Sequence, residues 1–258
     1  MMMQILWRLT KLLNSKLLTS GRLILSLAMI SLSWATMTVA QPKYTPNPNS
    51  PPPKEPTDST GSRGGCAGDK ETKLTALAPQ SHVGQTGSTH PTFAWFVPDS
   101  QPYPIIFELY EYDANGNHQL IETINLQSSP GIMTLSLPEE KSGLSVGKRY
   151  RWQVVILCNP NHPSSALVAE AEIDVVEMPS ALKMALAATT DPIERTELYA
   201  SEGLWYNAFG EVLESENGRT REFTLRLLET LVELENSEAV EYGREQGKRL
   251  NQIIKVLR

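Results

Sequence analysis

Strands first, helices last: this is the fold class that the 258-residue sequence predicts, and three observations carry it. In residues 147–158, Tyr150, Trp152, Val154 and Ile156 alternate with Arg149, Arg151, Gln153 and Val155. That period of two buries one face of a pleated strand and wets the other. About fifty residues earlier, Thr92, Phe93, Ala94, Trp95, Phe96 and Val97 form a second aromatic-anchored strand, and the pair suggests facing sheets. Beyond residue 190 the pattern turns helical, with Phe223, Leu227, Leu228, Leu231 and Leu234 on one side of a helix.

Composition bounds what such a chain can be. With 40% apolar and 20% charged residues it can build one substantial core and a smaller second unit. The formal charge is −6, yet Arg8, Lys11, Lys16 and Arg22 all lie in the first forty residues, which hold no acid. Setting these four aside leaves 19 bases against 29 acids, a net of −10. Nucleic-acid binding draws on clustered Lys and Arg, so no nucleic-acid partner is expected.

The N-terminus predicts export. A basic stretch over 8–22 precedes 23–39, which carry no charge, and Thr38, Val39 and Ala40 place small or slim residues where a signal peptidase cuts. Residues 1–40 are expected to be a signal peptide removed before Gln41. The alternative is an uncleaved anchor, through which alone the protein would touch a membrane, since the apolar run nears the length that spans ~30 Å. Either outcome leaves the folded part across the membrane, periplasmic or at the cell surface.

Residues 41–65 hold Pro42, Pro46, Pro48, Pro51, Pro52, Pro53 and Pro56, then Gly61, Gly64 and Gly65, with Tyr44 as the one aromatic and no aliphatic side chain. Such composition predicts a disordered Pro/Gly-rich linker rather than a docking ligand, because no PxxP motif with basic flanks is present.

The sandwich is expected over 66–177, with strands at 73–78, 92–97, 105–112, 120–126, 132–137, 148–157 and 168–176, each bounded by Pro, Gly, Asn or Ser. Seven strands in this length match an immunoglobulin-like or fibronectin-III-like sandwich. Asn115 and Gly116 tolerate positive φ and predict a hairpin turn. Tyr150 sits where a tyrosine corner would bond back to the preceding loop. Two cysteines, Cys66 and Cys158, make an even count in an exported chain and predict one disulfide; a redox pair would want a CxxC motif.

Residues 178–258 read as helical. Asp191, Pro192 and Glu194 combine an acidic N-cap, proline at the first helical position and a capping-box acid, and this helix stops at Gly203. A second covers about 204–216, a third 221–235, and a fourth carries Leu250, Ile253, Ile254 and Leu257. Tyr199, Gly203 and Ala208 have the spacing of a tetratricopeptide helix pair, which as one copy reads as a helical hairpin packed on its neighbours.

Several blocks now combine: Gly64, Gly65 and Cys66; Leu74, Thr75, Ala76 and Leu77; His90, Pro91, Thr92 and Phe93; the strand ending at Cys158; and Gly203, Leu204, Trp205, Tyr206, Asn207 and Ala208. In this order they resemble a cyanobacterial family of exported proteins known by a domain-of-unknown-function label, domain of unknown function 928. The resemblance covers most of the chain after the linker. It implies export and the two-part layout, implies no activity, and carries over no functional residue.

Candidate chemistry is sparse. His82, His90, His118 and His162 fall in predicted loops without metal-ligand spacing and read as exposed, so no metal or cofactor is expected. Asn159, Asn161, His162 and Ser164 beside Cys158 could bring a nucleophile to a base, but no GxSxG elbow or fixed acid accompanies them. Glu139 and Glu140 are adjacent and point apart. Trp205 and Tyr206 are candidate interaction anchors, though aromatics at a helical turn also serve cores. The expected function is non-enzymatic binding of a protein or glycan partner. The alternative is a hydrolase with its site where sandwich and helices meet, and a convergent pocket holding His90 or His162 beside an acid would favour it.

Overall fold

The structure, a computed structural model, describes residues 43–54, 66, 71–159, 161–215, 217–237 and 241–258. The expected signal peptide and the 55–65 part of the expected linker lie outside the described residues. The described residues belong to one compact unit, Ala40–Arg258, of α+β class.

Among the described residues eight strands form two sheets: β1 (Thr75–Ala76), β2 (Gly84–Thr86), β3 (Thr92–Val97), β4 (Pro104–Tyr112), β5 (His118–Gln127), β6 (Gly131–Ser136), β7 (Arg149–Ile156) and β8 (Leu167–Val175). One sheet has the order β1-β3-β6 and the other β2-β8-β7-β4-β5. The alternation in 147–158 places β7 inside the larger sheet, between β4 and β8, with Trp152 opposite Leu109 and Ala171. Its wet face is spent on ion pairs: Arg149 reaches Asp174 at 2.7 Å, and Arg151 pairs with Glu170. The unexpected strand is β2, which pairs with β8 in parallel. Three residues beginning with glycine carry no periodicity, so only its partner makes it a strand.

Aromatic rings from the two sheets close the space between them. Phe93 meets Phe107 at 5.0 Å and Trp152 at 5.4 Å between centroids, and Trp95 stacks on Phe107 at 6.3 Å. Full burial of each such ring is worth roughly 2–3 kcal/mol. Tyr150 makes the expected backward bond, its hydroxyl accepting from Ser145 N at 2.9 Å. The 113–117 turn is closed by Asp113, whose Oδ1 accepts from Asn115 N and Asn117 N, while Gly116 takes φ +86°.

Five helices follow: α1 (Ser180–Ala187), α2 (Pro192–Ser201), α3 (Trp205–Glu214), α4 (Gly218–Ser237) and α5 (Glu241–Leu257). Asp191 caps α2 as expected, Oδ1 accepting from Ile193 N at 3.0 Å. Helix α1 lacks a side-chain cap, which is why the sequence did not announce it. None of the described helices is long and apolar enough to cross a membrane.

Helix α3 packs on β2 and β3, and the outer face of the three-stranded sheet, where Ala94 and Phe96 are buried, is the side the helices cover. At Gly210 of α3 an added Cβ would stand 3.1 Å from Thr92 Cβ, so glycine permits the close approach. Gln246 Nε2 of α5 donates to Ala76 O and Ala78 O at 2.8 and 3.0 Å, satisfying carbonyls of the sheet's edge. The expected boundary near 177 separates the layers in sequence, but one apolar cluster runs through both.

Residues 43–54 correct the linker reading. Tyr44 is buried, Thr45 N donates to Ala200 O, Val83 N donates to Pro51 O, and Lys54 N donates to Glu172 Oε1 at 2.7 Å. One inserted ring and a few backbone bonds hold a proline-stiffened strap that has little chain entropy to lose. At Gly203, with φ +76°, an added Cβ would stand 2.9 Å from Thr45 O, so the strap needs that glycine.

Cys66 and Cys158 are bonded, closing a span of 92 residues with Cα atoms 5.1 Å apart. Cutting a loop of this length is expected to lower stability by ~2–4 kcal/mol. Calorimetry with and without reductant checks this, and equal melting temperatures would show that the bridge contributes nothing.

Candidate functional site

Trp205 and Tyr206 are not at the surface. Trp205 is 0% exposed, donates Nε1–H to Leu77 O at 3.0 Å and stacks on Phe209. Tyr206 enters the space between the sheets, accepting from Trp152 Nε1 at 2.8 Å and donating to Glu172 O at 3.0 Å. The sheet face beneath α3 supplies the cover that an isolated helical hairpin would lack, so both anchors become core.

His162 is exposed, as expected, in a polar turn that bonds to itself: Asn159 Oδ1 accepts from Asn161 N, Asn159 O from His162 N, and His162 O from Ser165 Oγ. Cys158 beside it is oxidised in the disulfide. Glu139 and Glu140 lie in the turn closed by Lys141 N donating to Pro138 O. His118 is exposed and meets Tyr110 edge-on at 5.2 Å.

His82 overturns the exposed-loop expectation. It is buried, stacked on Tyr44 at 5.7 Å, with Nε2 2.9 Å from Tyr44 Oη and Nδ1 3.0 Å from Ser81 Oγ. Glu235 Oε1 accepts from Ser81 Oγ and from the backbone N–H groups of Gln80 and Ser81. With Ser81's single hydrogen given to Glu235, Nδ1 of His82 carries the imidazole proton and Nε2 accepts from Tyr44. Burial, helped by Tyr206 and Glu235, pushes the Tyr44 hydroxyl well above its ordinary range, which keeps it a donor. Burial also lowers His82 to about 4, keeping the ring neutral. This relay ties strap, loop and α4 together; its sequence signal was Glu235 standing on the apolar stripe of α4, four residues after Leu231.

Among the hollows of the described residues, two lie where helices meet the three-stranded sheet. The first, about 110 Å³, holds His90, Glu211 and Glu214 between the loop before β3 and helices α2 and α3. His90 Nε2 donates to Lys141 O at 3.2 Å, leaving Nδ1 to accept from Thr89 Oγ1 at 3.1 Å. Glu211 takes Arg195 Nε at 2.8 Å. Imidazole and acid share the hollow, and each is held by another group.

The second is a groove of about 560 Å³ over the outer face of β6. Its apolar lining comes from Ile132, the end of α3 (Val212, Leu213), Leu225 and Leu257. Its polar lining comes from Thr134, from Ser215, Asn217 and Gly218, and from Thr220, Arg221 and Thr224 of α4. Among the described residues lining it, Arg221 is the ionisable one. The sequence did not reveal this groove, because its walls come from β6 and from helices that begin far later in the chain.

Residues 58–239 match a family model described as Domain of Unknown Function (DUF928). No curated protein matches the chain. Among solved structures, a crystal structure of Bacteroides uniformis β-glucuronidase is similar at 11% identity and TM-score 0.21, over 38% of this chain and 12% of that one. Astrotactin-2, a conserved vertebrate-specific and perforin-like membrane protein involved in neuronal development, is similar at 13% identity and TM-score 0.25, over 69% of this chain and 39% of that one.

Proposed function

The chain belongs to the DUF928 family, and from that premise we propose that it is an exported binding protein of the periplasm or cell surface. It receives a protein partner in the groove over β6 and carries out no chemical step. The scaffold in this reading is an immunoglobulin- or fibronectin-III-like sandwich layered with helices, of which α2 and α3 make the tetratricopeptide-like pair. The parallel β2–β8 pairing and the backward bond of Tyr150 support the sandwich. Gly203 at the tight α2–α3 turn supports the pair.

One observation carries the binding reading: the described lining of the groove is aliphatic and hydroxylic with one carboxamide and one guanidinium, and holds no carboxylate, imidazole or thiol. General acid–base chemistry wants those groups within hydrogen-bond reach of a substrate. Aliphatic walls suit side chains of a protein, whereas a sugar would want aromatic platforms and paired polar groups. A photo-crosslinking residue at Leu225 is expected to trap one defined partner in the native cells, and the same residue at exposed Met184 to trap none. Equal labelling from both positions would overturn the assignment.

The hydrolase alternative keeps one observation in its favour, the shared hollow of His90 and Glu211. It requires that purified protein turn over a substrate and lose that turnover in His90→Gln.

A further inference from the structure

We propose that the occupant of the groove is an extended segment of the partner, added as a further strand to the free edge of β6 and presenting a carboxylate to Arg221. This rests on the groove being the binding site and names what binds there.

The edge follows from the hydrogen-bond alternation. Leu77 N donates to Ala94 O at 2.9 Å, so Ala94 directs its polar groups toward β1. Leu137 N donates to Pro91 O at 3.3 Å, and the register sets Phe93 opposite Leu135 and Trp95 opposite Met133. Leu135 and Met133 therefore bond to β3, and Ile132, Thr134 and Ser136 direct their N–H and C=O groups the other way. Among the described residues no strand pairs with that side. Ile132 and Thr134 also line the groove, so the open amides and the apolar walls belong to one place.

Exposed edges are ordinarily blunted by charge, proline or a bulge. The other long edge, β5, follows this rule: its pairing with β4 is irregular at Leu109/Tyr110, and it carries Glu122. Strand β6, Gly131–Ser136, has no charged residue, no proline and an unbroken register with β3. An added strand would satisfy its amides and set alternate side chains beside Leu213 and Leu225, as strand-addition complexes do. The charge of the occupant follows from Arg221. Its guanidinium donates to Leu257 O at 2.6 Å, and among the described residues no carboxylate pairs with it. A side-chain acid or a free C-terminus of the segment completes that site.

The test selects displayed random peptides about twelve residues long against the intact protein, then measures the selected peptides in solution by fluorescence anisotropy. Alternating aliphatic sequences with an acid are expected. Thr134→Pro removes an outward N–H without touching the bonds to β3 and is expected to weaken binding at least about tenfold, while Thr134→Val, which keeps that N–H, is expected to weaken it less. Arg221→Ala is expected to abolish the preference for an acid. Should Thr134→Pro melt early, methylating alternate peptide amides gives the same reading: one set of positions abolishes binding and the other does not. Selection of no peptide, or peptides indifferent to both changes, overturns the proposal. So does a concentration-dependent dimer that Thr134→Pro makes monomeric, which would seat a second copy on the edge. A Leu225 crosslink that survives Thr134→Pro removes strand addition and leaves the groove as the binding site; the absence of any Leu225 crosslink with Thr134 unchanged removes both.

Discussion

Trp205→Ala is expected to lower the unfolding free energy by ~3–5 kcal/mol, the range for truncating a buried large aromatic. Three losses add up at this position. The ring's volume is vacated between Phe209, stacked at 5.1 Å, and Tyr44, edge-on at 5.0 Å. The carbonyl of Leu77 loses its donor inside the core, a deficit of about 1–3 kcal/mol. Tyr44 loses a wall, which loosens the strap as well. Trp205→Phe refills most of the volume and leaves the carbonyl unpaired, so it should fall between the two. Urea unfolding read at the midpoint with the slope monitored decides the matter. A loss below about 1 kcal/mol for the alanine variant would mean that the indole exchanges with solvent, and would restore Trp205 as a surface anchor.

Acidification is expected to destabilise the fold by ~3 kcal/mol between neutral pH and pH 4 through His82 alone. The unfolded chain takes a proton on this ring near pH 6.5, whereas burial holds the folded ring neutral until about 4. The unfolded state therefore binds more protons in that window. The stability is complete above pH 6.5 and drains away as the pH falls toward 4. Around the ring stand the Tyr44 hydroxyl, the Ser81 hydroxyl and, beyond Ser81, the Glu235 carboxyl. A proton on Nε2 would turn the acceptor that Tyr44 uses into a donor, so the strap should loosen first. Scanning calorimetry of the native protein and of His82→Gln across this range separates the effect from the general titration of surface acids. Parallel curves for the two proteins would refute it.

Both expectations concern residues that a reading of the chain had placed outside the core, and the reason is the same for each. An aromatic at a helical turn, or a histidine in a loop, is exposed or buried according to what lies above it. Tyr44 covers His82 from 38 positions away, and Leu77 O receives Trp205 from 128 away. No periodicity records contacts at such separations. The linker reading failed on the same ground, since composition counts aliphatic side chains and one ring with three anchored backbone groups sufficed.

What the sequence determined by itself is whatever a few neighbouring residues can specify. The alternation around Trp152 made a central strand, Asp191 and Pro192 started a helix, Gly116 made a turn, and an even pair of cysteines made a bridge. Each is a local preference that survives into the fold because nothing nearby opposes it. The tertiary structure alone decided which apolar faces are covered and by what. It turned 84–86 into a strand by offering β8, drew Tyr206 between the sheets, buried Glu235 under the 80–82 loop and, among the described residues, left β6 with one open edge. Burial and pairing are properties of two surfaces together, and a local pattern describes only one of them.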